Sequence, residues 1–283
     1  MIFSGNKITL VLAVSVALAV AGCTGKGKER DGVSLDGKSP EAIFQSAEAL
    51  LSKRKANKAA VRFSEVERLY PYSDWAKRSI IMSAFANHEA ELYTESRSAA
   101  QRYLDFYPAD EDAAYAQYLI ALSYYDQIDD VSRDQGVTFQ ALQALRTTVE
   151  RYPDSEYATS SLLNFDLALD HLAGKEMEIG RYYLKRGHYT AAINRFRVVV
   201  EDFQTTTHTP EALYRLIESF LSLGIETDAQ TAGAILGYNF QGTDWYTDAY
   251  ALLTGAGFSV EKPSEKSTKG LGRGGRQGGG TQQ

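Results

Sequence analysis

The sequence predicts an all-α fold, a right-handed superhelix of about five stacked helix pairs, and three observations support this prediction. Four segments end on an aromatic residue, at Tyr70, Tyr107, Tyr152 and Phe203, with spacings of 37, 45 and 51 residues. A proline follows each of the first three. Upstream, a small residue precedes a larger apolar one by four positions, at Ala59 and Phe63, Ala141 and Leu145, and Ala192 and Phe196, with Ser96 and Ala100 as a weaker example. No alternating strand pattern with hairpin signals is present. A period slightly above about 34 residues with helical patterning is typical of tetratricopeptide arrays, which bind other proteins.

The N-terminal segment indicates export and lipidation. An apolar run covers residues 8–20 after Lys7, as in a signal peptide, and it is too short to remain as a membrane span. Residues 20–23, Val-Ala-Gly-Cys, resemble a bacterial lipobox, so residues 1–22 are expected to be removed and Cys23 to carry the lipid. Cys23 is the one cysteine of the chain; an ordinary secretory signal with a chance cysteine is the other interpretation. Thr24, where aspartate would signal inner-membrane retention, favours the outer membrane.

Residues 23–39 are rich in Gly, Lys, Asp and Ser and predict a flexible tether. Residues 40–154 are predicted to hold repeats one to three. Ser39 and Pro40 suit the start of the first helix, because serine can cap a helix and proline is tolerated in its first turn. Ser73 and Ser155 stand at matching places after two of the Tyr-Pro endings, where each can cap the next helix. Helices are expected from residue 40 and over 57–70, 75–93, 96–107, 110–127 and 135–152.

Residues 155–255 are predicted to hold repeats four and five and a cap. Helices are expected over 155–186, 189–203, 210–223, 226–238 and 244–253. Gly174 and Gly180 are weak points in the long first helix, each costing up to ~1 kcal/mol relative to alanine. Residues 256–283 are rich in Gly, Lys and Arg and are expected to be a disordered tail.

The composition and motifs argue against nucleic-acid binding and against catalysis. The net charge is −6 and residues 261–283 carry five basic and two acidic residues, which leaves the folded region acidic, so no basic surface for nucleic acid is expected. The four histidines lack metal-ligand spacing, and the acidic cluster at 126–134 lacks the EF-hand pattern. No nucleophile or acid–base pair stands out. We therefore expect no enzyme, no catalytic residue, no metal, and no cofactor other than the covalent lipid on Cys23.

Two blocks of the sequence resemble a known family. The first comprises Tyr124, Tyr125, Gln127, Arg133, Asp134 and Gln135. The second covers residues 179–195 and reads Ile-Gly-Arg-Tyr-Tyr-Leu-Lys-Arg-Gly-His-Tyr-Thr-Ala-Ala-Ile-Asn-Arg. With the lipobox and the repeats, these blocks resemble the BamD (ComL) family, from the lipobox to about residue 238.

The resemblance implies a non-enzymatic, lipid-anchored subunit of the β-barrel assembly (BAM) complex at the periplasmic face of the cell outer membrane. Its C-terminal repeats would dock on the periplasmic domain of the BamA subunit, beside other BAM lipoproteins. Its N-terminal repeats would receive unfolded outer-membrane β-barrel proteins. The lipid would provide its attachment to the membrane.

Carried onto this sequence, the docking prediction falls on Tyr182, Tyr183, Arg186, Asn194 and Arg195. Arginine and tyrosine are frequent interface anchors; in the other interpretation, one tyrosine packs the long helix and Asn194 caps an internal turn. The aromatic candidates for a substrate groove in repeats one to three are Phe63, Tyr72, Trp75, Tyr93, Tyr103 and Tyr115. One of Tyr124 and Tyr125 is expected to line the groove or a partner surface, and Arg133 and Asp134 to pair across their loop.

A periplasmic tetratricopeptide adaptor lipoprotein for peptidoglycan hydrolases or cell division is the alternative function. Such an adaptor would share the lipobox and the repeats. It would lack the two family blocks, which is why the assembly function is preferred.

Overall fold

The computed structural model describes residues 37–128 and 135–260, and within these ranges every regular element is an α-helix, which confirms the predicted all-α class. The helices are α1 (Pro40–Leu51), α2 (Ala56–Leu69), α3 (Asp74–Glu89), α4 (Tyr93–Phe106), α5 (Ala113–Tyr125), α6 (Gly136–Arg151), α7 (Glu156–Lys185), α8 (Tyr189–Asp202), α9 (Thr209–Ser222), α10 (Glu226–Phe240) and α11 (Asp244–Gly255). The signal peptide, Cys23, Arg133 and Asp134 lie outside the described residues. Among the helices described, none is long and apolar enough to cross a bilayer.

The helices stack in sequence order. Each helix packs on the next along the chain, and the first helices of successive pairs also touch, α1 on α3, α3 on α5 and α5 on α7. Contact limited to neighbours is the arrangement of a repeat array, in which a pair buries its apolar face only by stacking. The pairs are α1/α2, α3/α4, α5/α6, α7/α8 and α9/α10, and α11 covers the last of them.

Helix starts follow local sequence signals. The side-chain oxygens of Ser39, Ser73, Ser155 and Thr243 accept hydrogen bonds from the backbone N–H groups of Ala42, Ala76, Ala158 and Tyr246, three residues further on. A capped N–H group is one of the four at a helix start without an intrahelical partner, so each cap stabilises its helix. The predicted caps at Ser73 and Ser155 are confirmed.

One predicted boundary is wrong by several residues. The helix expected over 75–93 stops at Glu89, and Tyr93 begins α4 instead. The chain reverses between them with Glu91 at φ +58°, a left-handed conformation that ends a helix. Neither glycine nor proline marks this turn in the sequence.

The small–large pairs lie in the core as predicted. Each of Ala59, Phe63, Ala141, Leu145, Ala192 and Phe196 is 0% exposed. Gly180 of α7 faces Phe196 of α8 so closely that a Cβ atom on Gly180 would lie 2.4 Å from the ring carbon Cε1. The glycine that sequence reasoning treats as a weak point therefore allows α7 and α8 to approach each other.

The C-terminal core is the largest of the buried clusters among the described residues. It joins α7, α8, α9, α10 and α11 around Met177, Phe196 and Leu236. Phe258 and Val260 pack against it. The folded part therefore extends past the expected boundary at residue 255.

Candidate partner-binding surfaces

A tyrosine–arginine cluster lies at the C-terminal end of α7. The guanidinium carbon of Arg186 stands 4.2 Å from the ring centroid of Tyr182, and the rings of Tyr182 and Tyr183 meet edge to face at 5.6 Å. Tyr182 is 51% exposed, whereas Tyr183 packs against the C-terminal core. Tyr183 therefore has the packing role and supports the exposed ring of Tyr182, on which Arg186 lies.

Asn194 and Arg195 lie on α8, which packs beside α7. Asn194 is exposed in the middle of the helix, so the alternative interpretation, that it caps an internal turn, is wrong. Arg195 Nη1 lies 3.0 Å from Glu176 Oε2 on α7. Glu176 precedes Tyr182 by six residues, which is about 9 Å along the helix axis. The predicted docking residues therefore belong to one stretch of the α7/α8 pair.

An ionic network links α7 to α9 and was not foreseen from the sequence. Arg181 Nη1 lies 2.7 Å from Glu211 Oε2, and Arg215 reaches Glu218 Oε2 at 2.9 Å. The guanidinium of Arg215 also lies 5.5 Å from the ring of Trp245 on α11. Arg215 pairs with Glu211 and Glu218 at local helix spacing within α9. Because Arg181 and Glu211 come from different repeats, no local spacing predicts the ion pair that joins α7 to α9.

The first family block holds α4 and α5 together. Arg97 of α4 stacks on the ring of Tyr124 at 4.2 Å and donates a hydrogen bond to the carbonyl of Ser123. Gln127 donates to the same carbonyl. Tyr125 packs between α5, α6 and α7, and its burial raises the pKa of its hydroxyl. Neither tyrosine is free of packing contacts.

The remaining members of this block are Gln135, Arg133 and Asp134. Gln135 immediately precedes α6, and its side-chain Nε2 is buried without a hydrogen-bond partner among the described residues. The predicted pairing of Arg133 with Asp134 falls in the segment outside the description. Beside the block, His88 Nε2 lies 2.9 Å from Asp126 Oδ2.

Two of the predicted groove residues are wrong, because they are core residues. Phe63 and Tyr103 are 0% exposed. Phe63 stacks on Phe44 of α1, with centroids 5.1 Å apart, and Tyr103 donates a hydrogen bond to Asp110. Burial raises the pKa of the Tyr103 hydroxyl, and the bond to Asp110 adds to this. Neither ring can meet a peptide.

The other four groove candidates keep some accessible surface. Tyr72 is completely exposed in the turn before α3. Trp75 is half-buried and packs on Phe44 at 5.0 Å, and Tyr93 meets the ring of His88 at 5.6 Å. Tyr115 stacks on Tyr157 at 5.2 Å, and burial raises its pKa. These four side chains lie apart from one another on the chain, and no ring contact within the described ranges joins one of them to another.

An open cleft of about 720 Å³ lies between the C-terminal ends of α1 and α3. Its lining includes Leu51, Met82, Phe85, Arg54 and Glu89. None of these residues belongs to the small–large pattern, so sequence reasoning missed the cleft. Among the described residues, no three His, Cys, Asp or Glu side chains are grouped to hold a metal ion.

The chain is similar in sequence to a known family of proteins. The family model described as "YfiO: Outer membrane lipoprotein" matches residues 36–235. A protein of Caulobacter vibrioides named outer membrane protein assembly factor BamD is 48% identical over 256 residues, 90% of this chain and 84% of its own length. The proteins of the same name from Rickettsia prowazekii and Neisseria meningitidis are 39% and 27% identical, over 87% and 85% of this chain and 98% and 94% of their own. A solved thermophilic tetratricopeptide protein of Thermus thermophilus aligns with 76% of this chain and 100% of its own, at 17% identity and a TM-score of 0.35.

Proposed function

The chain belongs to the YfiO family of outer membrane lipoproteins, and from that membership we propose that it acts as an outer-membrane protein assembly factor. The observation that carries the proposal is 48% identity to a protein named BamD over 90% of the chain. The stacked helix pairs agree with such a role, because a repeat array offers an extended surface for partners. The chain works as a scaffold, and its contribution is binding.

The C-terminal repeats would provide the contact with the barrel-forming BamA subunit. The stacked pair of Arg186 and Tyr182 supports this assignment, since an exposed aromatic ring under a guanidinium is a pre-ordered anchor. Arg195 lies on the neighbouring helix but is already engaged with Glu176. Arg186 should therefore contribute more to docking than Arg195 does.

The lipid on Cys23 would attach the scaffold to the periplasmic face of the outer membrane. Several acyl chains, at roughly 0.8 kcal/mol for each buried methylene, make such attachment effectively permanent. The tether over residues 23–39 would let the helix pairs reach a partner embedded in the same membrane. Other BAM lipoproteins and unfolded β-barrel proteins are the further partners proposed.

Co-purification from detergent-solubilised membranes tests the docking assignment. We expect Arg186→Glu to reduce recovery of the BamA subunit at least about tenfold, as loss of a central anchor does. Arg197→Glu is the matched control, because Arg197 lies on α8, is half exposed and pairs only loosely with Glu201 at 3.8 Å. Normal recovery with Arg186→Glu, or equal loss with Arg197→Glu, would remove Arg186 from the interface.

A further inference from the structure

An exposed stripe runs along the outer side of α10. Asp228, Thr231, Ile235 and Tyr238 follow one another at steps of three, four and three residues, so they share one face of the helix. Tyr238 is 90% exposed and Ile235 is 40% exposed, whereas Leu236 on the other side is fully buried. The four residues span about 15 Å along the helix axis and are called the α10 stripe below.

The end of the array that contains the α10 stripe carries negative charge. Residues 226–260 hold four carboxylates and no Lys, Arg or His; the carboxylates are Glu226, Asp228, Asp244 and Asp248. Residues 261–283 follow directly and contain five Lys or Arg and two Glu, a side-chain charge of +3; they are called the basic tail below. The last folded residues and the tail joined to them are therefore electrostatically complementary.

The basic tail leaves the fold beside α10. A Cβ atom on Gly237 would lie 2.7 Å from a ring carbon of Tyr246, and one on Gly233 would lie 2.5 Å from Leu253, so α11 runs antiparallel along α10. The last turn of α11 therefore lies next to the N-terminal half of α10. Val260, five residues after α11 ends, packs on the same C-terminal core. The tail consequently starts on one side of α10 and has to pass round one helix, about 10 Å across, to reach the stripe.

The basic tail is long enough to reach the stripe. Arg273 follows Val260 by 13 residues, and a flexible chain of that length has an r.m.s. end-to-end distance of about 20 Å. Because the tail and the stripe belong to one chain, each meets the other at an effective concentration of about a millimolar. An intrinsic Kd of about a millimolar is then sufficient for the tail to occupy the stripe about half of the time.

Guanidinium groups stacked on tyrosine rings recur in this protein. Arg186 lies 4.2 Å from the ring centroid of Tyr182, and Arg97 lies 4.2 Å from that of Tyr124. Tyr238 has a more exposed ring than Tyr182, and within the described ranges no cation stacks on it. The two arginines of the basic tail stand among glycines, which leave their guanidinium groups free of bulky neighbours. They are therefore suited to stack on this ring.

Charge argues against other occupants of the stripe. A second copy of the chain would bring a surface with the same carboxylates to residues 226–260, which have no cation, and an anionic lipid surface would bring phosphate groups. An uncharged apolar partner would cover Ile235 and Tyr238 but leave the carboxylates without a partner. The basic tail supplies positive charge and is already attached.

We propose that the basic tail binds the α10 stripe, with the guanidinium groups of Arg273 and Arg276 shared between the ring of Tyr238 and the carboxylate of Asp228. The tail then covers the exposed face of the last helix pair. A partner that binds α10 has to displace the tail first, so the tail excludes weak partners from this end of the array. Binding of the tail to the stripe does not depend on the proposed function.

Photo-cross-linking within the purified full chain in detergent tests the proposal. Thr231, exposed in the middle of the stripe, is replaced by photoreactive benzoylphenylalanine, and the cross-linked peptides are identified by mass spectrometry. We expect the main product to join this position to the segment around Arg273 and Arg276 within a single chain. Val61 is the matched control position, because it is 61% exposed on α2 at the other end of the array. It should give at least about fivefold less of the tail product.

Variants of the tail and of the stripe test the individual contacts. Arg273→Gln with Arg276→Gln should lower the yield of the tail product at least about threefold, and so should Tyr238→Ser. Lys262→Gln with Lys266→Gln removes the same amount of charge, but it should lower the yield less, because an ammonium does not stack on a ring as a planar guanidinium does. Since Tyr238 is 90% exposed, Tyr238→Ser should leave the circular dichroism spectrum unchanged.

Three results would overturn the proposal. The first is a yield of tail product from Thr231 no greater than that from Val61. The second is an equal loss of tail product with the two arginine substitutions and with the two lysine substitutions, which would reduce the contact to non-specific charge attraction. The third is a main product that joins Thr231 to a second chain or to a lipid, which would assign the stripe to another occupant.

Discussion

Gly180 offers a direct test of how closely α7 and α8 pack. Alanine there would place its Cβ atom 2.4 Å from Cε1 of Phe196 and 2.8 Å from two further ring carbons, closer than Cβ atoms approach in proteins. Phe196 is 0% exposed, so its ring has no free space to move into. Alanine favours a helix interior over glycine by about 1 kcal/mol, while overpacking a core costs roughly 1–3 kcal/mol. We expect Gly180→Ala to destabilise the protein by about 1 kcal/mol.

Gly174→Ala is the matched control for this experiment. Gly174 lies on the same helix, and its nearest neighbour to an added Cβ is the Nε2 atom of His208, at 3.2 Å and on a side chain that can move. The gain in helix propensity is the same, so Gly174→Ala should be neutral or stabilising by up to about 1 kcal/mol. Adding Phe196→Leu to Gly180→Ala should recover part of the loss, with a coupling of roughly 0.5–3 kcal/mol. Urea unfolding followed by circular dichroism measures all three; Gly180→Ala as stable as Gly174→Ala would refute the packing argument.

Three further predictions concern stability. Tyr103→Phe keeps the buried ring but removes its hydrogen bond to Asp110, so it should lower the free energy of unfolding in urea by about 1 kcal/mol. Tyr72→Phe is the control at a fully exposed position and should leave the free energy of unfolding unchanged. Burial would raise the pKa of Asp110, but hydrogen bonds from Lys77, Tyr103 and a backbone N–H lower it overall. The ionised Asp110 therefore stabilises the protein at neutral pH, and this stabilisation is lost as the pH falls through the lowered pKa. Asp110→Asn should consequently lose less stability on acidification than the parent protein does. Equal losses in the two proteins would contradict this. Ser155→Ala should lower the stability by about 1 kcal/mol in a thermal melt, because alanine cannot cap α7. Ser155→Asp should restore the stability, since aspartate caps a helix as serine does. An alanine variant as stable as the parent would contradict the capping role.

The sequence predicts well whatever depends on residues close together in the chain. Ser73 and Ser155 cap their helices because an N-cap needs only the N–H group three residues on. Ala192 and Phe196 face the same neighbour because residues four apart share a helix face. These local rules suffice for an all-α repeat array, which has few contacts between distant elements.

The sequence does not show which side of each helix is covered by neighbouring helices, so features that depend on this are not predicted. Tyr103 and Tyr72 are both aromatic residues in the first repeats, yet one is wholly buried and the other wholly exposed. The pairs Arg102–Glu67 and Arg181–Glu211 join residues 35 and 30 positions apart, so no local spacing reveals them. The exposure of Leu162, Leu163 and Leu167 is not predicted for the same reason, because α7 has leucines on both its buried and its exposed sides.

The proposed role of the chain as an outer-membrane protein assembly factor implies that folded β-barrel proteins depend on it. The most direct measurement is depletion of the chain in its own organism, followed by quantification of folded, heat-modifiable barrel proteins in the outer membrane. We expect a broad loss of folded barrels, accumulation of unfolded forms in the periplasm, and recovery when the parent chain is restored. Normal barrel levels together with a cell-wall or division defect would contradict it and would instead favour a periplasmic adaptor.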